Sequence, residues 1–168
     1  MNTKSFVLLA AVAVTSGCNL SKEDVYKSYP NLIVGHWGGV KFETYLDNVF
    51  IKYIEEYNPE DVFFDDSGLY WFDSSDYPYK GRYDVFRKTL TIWEIEDPDD
   101  SSPEVPQTYE IELLDGQNLI LKADVRVCDE DSGEWPSVED IWYDFGVKAD
   151  VGQRILQRAY YIRQPIAE

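Results

Sequence analysis

The sequence predicts an all-β fold, an antiparallel sandwich or barrel of about eight short strands. Segments rich in aromatic and β-branched residues recur along the 168-residue chain, and short polar turns separate them. Asp115-Gly116, between two of these segments, is the strongest hairpin signal. Helical patterns are short and few, so we expect short helices to flank a sheet that builds the core.

The predicted strands follow one another along the chain with polar turns between them. They are Ile33–Thr44, Val62–Phe64, Leu69–Phe72, Gly81–Phe86, Thr89–Glu96, Gln107–Leu114, Gln117–Val127 and Arg154–Arg163. Gly38-Gly39 inside the first strand predicts a bend or a close backbone approach. The pattern from Ser137 to Asp140 resembles a capping box and predicts a short helix over Val138–Phe145, which ends at Gly146.

Residues 42–57 are compatible with two kinds of structure. Their apolar side chains recur at three- and four-residue spacing, which is typical of an amphipathic helix, and Asn58-Pro59 would end such a helix. The same residues are rich in aromatic and β-branched types, and Asp47-Asn48 has the composition of a hairpin turn. We favour a pair of strands, with the helix as the alternative over residues 44–57.

The N-terminus has the pattern of a secretory signal. Lys4 precedes the apolar segment Phe6–Val14, which is too short for a membrane-spanning helix, since such a helix needs about 20 residues. Thr15-Ser16-Gly17-Cys18 resembles a lipobox, in which the cysteine becomes the new N-terminus and carries acyl chains such as palmitate; Thr15 stands where a leucine is usual. We expect a signal peptide over residues 1–17, a lipidated tether over 18–31 and a barrel domain over 32–168.

Gly35-x-Trp37 stands at the head of the first predicted strand. Followed by this series of short strands, it resembles the lipocalin-like barrels, and with the N-terminal signal it resembles the lipocalin-like lipoproteins of Gram-negative cell envelopes. The resemblance runs from Leu32 to Arg163 and favours an up-and-down barrel over a sandwich. It implies that Gly35 and Trp37 close the barrel with an arginine of the last strand stacked on the indole. Arg163 is the better match, and Arg158 is the second.

The charge of the chain bears on its partners and location. A net charge of −17 disfavours nucleic acid and anionic membrane surfaces as partners. We expect instead a lipid anchor to the outer membrane through Cys18. Lys22-Glu23-Asp24 resembles an address for surface display, so the outer face is favoured and the periplasmic face stays open. The sequence does not define an oligomeric state.

The sequence lacks the motifs of common catalytic sites. It has no nucleophile elbow, phosphate loop or zinc signature, so we expect neither an enzyme nor a cofactor. His36, the single histidine, is expected to be structural. Asp129-x-Asp131-x-Gly133 begins like a calcium loop, but Glu134 and Asp140 occupy the positions where an EF-hand needs glycine and glutamate, so no metal site is predicted. Cys128 is expected to be buried and inert, with a free thiol or an intermolecular disulfide as alternatives.

The abundant aromatic residues suggest two functions beyond core packing. The resemblance implies a cup that binds a small apolar or neutral ligand, and Trp71, Tyr83 and Trp93 are the candidate wall residues. Acidic loops at Asp73–Lys80, Asp97–Pro106 or Cys128–Trp135 are expected to ring its mouth and to repel anions. The alternative is a surface module that binds glycan or a protein partner through exposed aromatic side chains.

Overall fold

The computed structural model of the protein describes residues 22–51, 59–72, 80–94, 106–132 and 136–165. Within these residues lie the helices α1 (Lys22–Ile33) and α2 (Val138–Phe145) and a 3₁₀ turn at Glu130–Ser132. The strands are β1 (Gly35–Leu46), β2 (Val49–Ile51), β3 (Val62–Phe64), β4 (Leu69–Phe72), β5 (Lys80–Phe86), β6 (Thr89–Glu94), β7 (Gln107–Leu114), β8 (Asn118–Arg126) and β9 (Arg154–Arg163).

The strands form a closed antiparallel barrel. From β3 to β9 each strand pairs with its neighbour in sequence, and β9 pairs with β1 from Leu46↔Ile155 to Trp37↔Arg163. The other edge of β1 pairs with β3 at its start and with β2 at its end, so β2 and β3 occupy one position in the wall. The barrel is therefore eight strands around, and the predicted up-and-down architecture is confirmed.

The segment with two interpretations is a strand pair wherever it is described. β1 continues to Leu46, and β2 begins at Val49. Asp47 and Asn48 between them have φ values of 46° and 70°, which is the left-handed pair that a two-residue type I′ hairpin requires. Residues 52–57 lie outside the described residues. At the other end of β1, Ile33 belongs to α1 rather than to the predicted first strand.

Gly38-Gly39 lies at the irregular part of β1, as predicted. The pairing with β9 shifts between Gly39 and Lys41, which marks a β-bulge. A Cβ atom at Gly39 would lie 1.7 Å from the carbonyl oxygen of Pro59. The glycine is therefore needed here because another part of the backbone crosses directly over the strand.

Helix α1 closes one end of the barrel, which corrects the predicted tether. Residues 22–31, assigned to a tether over 18–31, form most of this helix. Tyr29 is 6% exposed and Ile33 is fully buried in the main core cluster, with Tyr26 packed against it. These side chains recur at three- and four-residue spacing, so one face of the helix is apolar. The folded domain therefore includes Lys22–Asn31, and residue 32 is not its boundary.

Helix α2 covers part of the opposite end. Ser137 and Asp140 form the predicted capping box, and Gly146 ends the helix with a φ of 64°. Ile141 and Phe145 are buried in a second core cluster with residues of β2 and β9. Neither α1 nor α2 is long and apolar enough to cross a membrane.

Candidate functional site

The barrel interior contains a cavity of about 390 Å³. Its aromatic wall residues are Phe42, Phe64, Tyr70, Phe72, Tyr109 and Tyr161. Its aliphatic wall residues are Val62, Leu90, Ile92, Leu121 and Ala159, and Pro59 and Glu60 complete the described lining. Small-molecule sites in proteins typically occupy roughly 300–1,000 Å³ and are mostly apolar. The cavity has the size and lining of a site for a small apolar molecule.

Two of the three predicted wall residues face outward, which corrects their assignment. Side chains alternate along a strand, so inward Tyr70 and Phe72 leave Trp71 outside, and inward Ile92 leaves Trp93 outside. Among the described residues, neither tryptophan lines the cavity.

Tyr83 faces inward but lies away from the cavity wall. Its ring meets Phe64 edge-on at 4.9 Å, and its hydroxyl donates to the Asp65 carbonyl oxygen at 2.5 Å. The size of an aromatic side chain does not indicate which way it faces. Choosing the largest aromatics as wall residues therefore missed Tyr70 and Phe72, which line the cavity. The hairpin turn after Phe64 could have indicated that Tyr70 faces inward. Its register pairs Phe64 with Tyr70, so the two side chains lie on the same face of the sheet.

The end of the barrel next to α1 contains the three predicted closure residues together. The Trp37 indole is fully buried and donates to the Ile33 carbonyl oxygen at 2.7 Å. The Arg163 guanidinium carbon lies 4.3 Å from the centre of that indole ring. At Gly35, φ is 139°, and a Cβ atom there would come within 2.5 Å of the Arg163 guanidinium.

Arg163 also binds backbone at this end. Its guanidinium donates to the carbonyl oxygens of Leu32, Val34 and Gly116, which joins the α1–β1 connection to the β7–β8 turn. Arg158, the second candidate, lies over Tyr45 and pairs with Glu112 on the outer face instead. Arg163, by contrast, lies across the α1 end of the barrel, and its contacts with Trp37 and with the backbone allow it to seal that end.

A polar network on the outer face joins β1 to β9. The Tyr160 hydroxyl donates to Glu43 at 2.7 Å, and Lys41 and Tyr45 also donate to this carboxylate. Burial, followed by the hydrogen bond to Glu43, raises the pKa of Tyr160 to about 12. Burial alone would raise the pKa of Glu43, but the hydrogen bonds from Lys41, Tyr160 and Tyr45 outweigh it and lower that pKa.

The raised pKa of Tyr160 predicts a loss of stability in alkali. A phenol whose pKa is higher in the folded state stabilises the fold fully below its unfolded pKa of about 10. That contribution is lost as the pH rises from about 10 to about 12. We expect urea unfolding to show a smaller alkaline loss for Tyr160→Phe than for the wild type, with parallel profiles below about pH 9. Equal alkaline losses would contradict this role.

Aromatic side chains also form a row on the outer face, here called the outer aromatic row: His36, Phe63 and Trp71. The His36 and Phe63 rings stack at 4.1 Å, and the Phe63 and Trp71 rings stack at 5.2 Å with 2° between their planes. His36 Nε2 lies 2.9 Å from the Asp61 carboxylate, which gives the histidine a structural partner. The row is partly exposed and extends across β1, β3 and β4.

The predicted acidic rim falls largely outside the described residues. β4, β6 and β8, which precede the three predicted rim loops in the sequence, all run toward the end opposite α1. Residues 73–79, 95–105 and 133–135 lie outside the described residues. Glu60, which is exposed, is the one acidic residue in the described lining of the cavity.

Of the two cysteines, Cys128 lies among the described residues. Cys18 lies outside the described residues. Cys128 is half-buried rather than fully buried, and its thiol lies 3.4 Å from the Arg126 carbonyl oxygen. Within the part of the chain that the structure describes, no group of three or more histidine, cysteine or acidic side chains is arranged to hold a metal ion.

Comparison with known proteins adds one structural likeness. No family model matches the sequence, and no curated protein matches it. Among solved structures, the chain is similar to a lipocalin-like protein from Bacteroides uniformis ATCC 8492, at 13% identity and a TM-score of 0.42. The match covers 79% of this chain and 99% of that one.

Proposed function

We propose that this barrel binds a small apolar or neutral ligand in its interior cavity and catalyses no reaction. The observation that carries the proposal is the cavity of about 390 Å³, whose wall consists mainly of aromatic and aliphatic side chains. A well-packed protein interior has few voids larger than a water molecule. Burying apolar ligand surface against such a wall contributes roughly 25 cal/mol per Å².

The charge of the protein supports a neutral rather than an anionic ligand. Glu60 is the one charged side chain among the described residues of the lining. The chain as a whole carries a net charge of −17. Both features repel an anion that approaches the cavity, and a buried carboxylate would lose its hydration without gaining a cation.

A neutral fluorescent probe tests this function. N-phenyl-1-naphthylamine brightens in apolar surroundings, and we expect its fluorescence to rise saturably with the wild-type protein. Ala159→Phe should abolish most of this signal, because Ala159 lines the cavity and the larger ring would fill it. The matched control is Ile162→Phe on the same strand, where the side chain is 47% exposed and faces outward. This variant should bind the probe like the wild type.

The opposite result would change the proposed function. A non-saturable signal, or equal binding by Ala159→Phe, would mean that the cavity is not a binding site. The function would then lie on the outer surface, where the partly exposed outer aromatic row offers aromatic side chains to a glycan or a protein partner. The partial exposure of His36, Phe63 and Trp71 side by side on one outer face is the observation that favours this second candidate.

We further propose that the protein is anchored to the outer membrane by acyl chains on Cys18. Only Asn19, Leu20 and Ser21 separate this cysteine from α1. Three residues reach at most about 3.6 Å each, so the α1 end of the barrel would face the membrane. The cavity would then be reached from the opposite end, away from the bilayer.

Mass spectrometry of detergent-extracted protein tests the anchor. We expect an N-terminus at Cys18 and added mass from acyl chains, since cleavage after Gly17 exposes the cysteine. Cys18→Ser should release the protein from the membrane fraction. An unmodified N-terminus at another residue would contradict the lipoprotein assignment.

A further inference from the structure

Between the cavity and the second core cluster lies a narrow band of the barrel interior, here called the polar band: Thr44, Gln157 and Ala123. These residues are in register on β1, β9 and β8. On each strand, the residue two positions to one side lines the cavity, namely Phe42, Ala159 and Leu121. The residue two positions to the other side packs in or against the second cluster, namely Leu46, Ile155 and Val125. Residues two apart share a face, so the polar band also faces inward.

Thr44 is the unusual member of this band. It is 3% exposed, and its hydroxyl has no hydrogen-bond partner among the described residues. Buried hydroxyl groups are nearly always hydrogen-bonded, because leaving one unsatisfied is unfavourable. Thr44 lies two residues along β1 from Phe42 on the cavity wall, which separates their Cα atoms by about 7 Å. The described lining of the cavity ends on β1 at Phe42, so a ligand group that extends past this wall toward the polar band would meet the hydroxyl.

Small side chains and a second polar group lie beside Thr44. Ala123 on β8 and Ala159 on β9 have the smallest side chains near Thr44, and Ala159 lines the cavity. Gln157 pairs directly with Thr44 and is half-buried, and its carboxamide both donates and accepts. Arg163 is the inward-facing cation of β9, but it is held at the far end by backbone carbonyl oxygens.

We propose that Thr44, with Gln157 beside it, binds the head group of a ligand that is neutral and hydrogen-bonding, such as an alcohol or an amide. The apolar body of this ligand fills the cavity. The inference rests on the proposed binding function and adds a polar end to it. A carboxylate head is disfavoured, because the polar band has no cation and Glu60 lies on the cavity wall.

Competition against bound N-phenyl-1-naphthylamine separates these head groups. We expect 1-decanol to displace the probe from the wild type at a concentration about tenfold lower than decanoate does at neutral pH. Thr44→Val, which replaces the hydroxyl with a methyl group of similar size, should weaken 1-decanol about fivefold relative to the probe. Thr44→Ser should retain wild-type competition. Thr108→Val makes the same chemical change at an exposed position of β7 and serves as the control.

Unfolding in urea gives a second, independent readout. Without ligand, Thr44→Val should raise the midpoint of unfolding, because it removes an unsatisfied buried hydroxyl. Equal competition by decanoate and 1-decanol, or an unchanged 1-decanol affinity in Thr44→Val, would overturn the polar end while leaving the binding cavity intact. A wild type that does not bind the probe would overturn the proposed function, and this inference with it.

Discussion

Trp37→Ala is expected to lower the free energy of unfolding by about 3–5 kcal/mol. The indole is fully buried at the α1 end of the barrel, and it belongs to the main core cluster with Ile33 and Tyr29. Truncation leaves a large void and removes the hydrogen bond to the Ile33 carbonyl oxygen. It also removes the ring beneath the Arg163 guanidinium, a contact that contributes about 2 kcal/mol when desolvated.

Urea unfolding followed by far-ultraviolet circular dichroism measures this loss without depending on tryptophan fluorescence. Trp142→Ala is the matched control, because Trp142 is 57% exposed on α2. Exposed substitutions usually change stability by less than about 0.5 kcal/mol. A loss under about 1 kcal/mol for Trp37→Ala would show that the indole does not hold this end of the barrel together.

Gly39→Ala is expected to be the most damaging glycine substitution, with a loss of about 1–3 kcal/mol or more. The new methyl group would lie 1.7 Å from the Pro59 carbonyl oxygen and 2.6 Å from its carbonyl carbon. Both are backbone atoms, so relief requires β1 and the crossing segment to separate. That movement would disturb the bulge in β1 and the pairing with β9 on either side of it.

Gly116→Ala provides the control for Gly39→Ala, since a Cβ atom at Gly116 has no other atom within 4 Å. Its midpoint in urea should lie close to that of the wild type. The same two variants should differ in probe binding, because Pro59 lines the cavity and must move in Gly39→Ala. Similar midpoints for the two variants would mean that the backbone crossing is looser than the structure indicates.

The turns and the second helix were predictable because they depend on residues close in sequence. Asp115-Gly116 forms its hairpin, and Asp47-Asn48 forms the turn that decides between strand and helix. Ser137 and Asp140 cap α2 where the pattern indicated. The contact between Trp37 and Arg163 was expected from the family resemblance and not from spacing, since 126 positions separate the two residues in the chain.

The first helix was harder to interpret because its partner is distant in sequence. Lys22–Ile33 contains charged residues and a proline, and by itself it has the composition of a tether. Its apolar face is buried against strands that follow much later, near the turns after β5 and β7. Helices this short are marginal alone in water, so tertiary packing decides whether they form.

The residue pattern by itself determined an antiparallel all-β fold of short strands and located most strands and turns, because alternation and turn chemistry are local. The choice of a barrel over a sandwich came from the family resemblance. Only the tertiary structure decided which aromatics face the cavity, since a shift of one residue in register reverses every side chain of a strand. Trp71 and Trp93 were placed outside in this way. The polar band likewise exists only because closure of the barrel aligns Thr44 with Gln157 and Ala123.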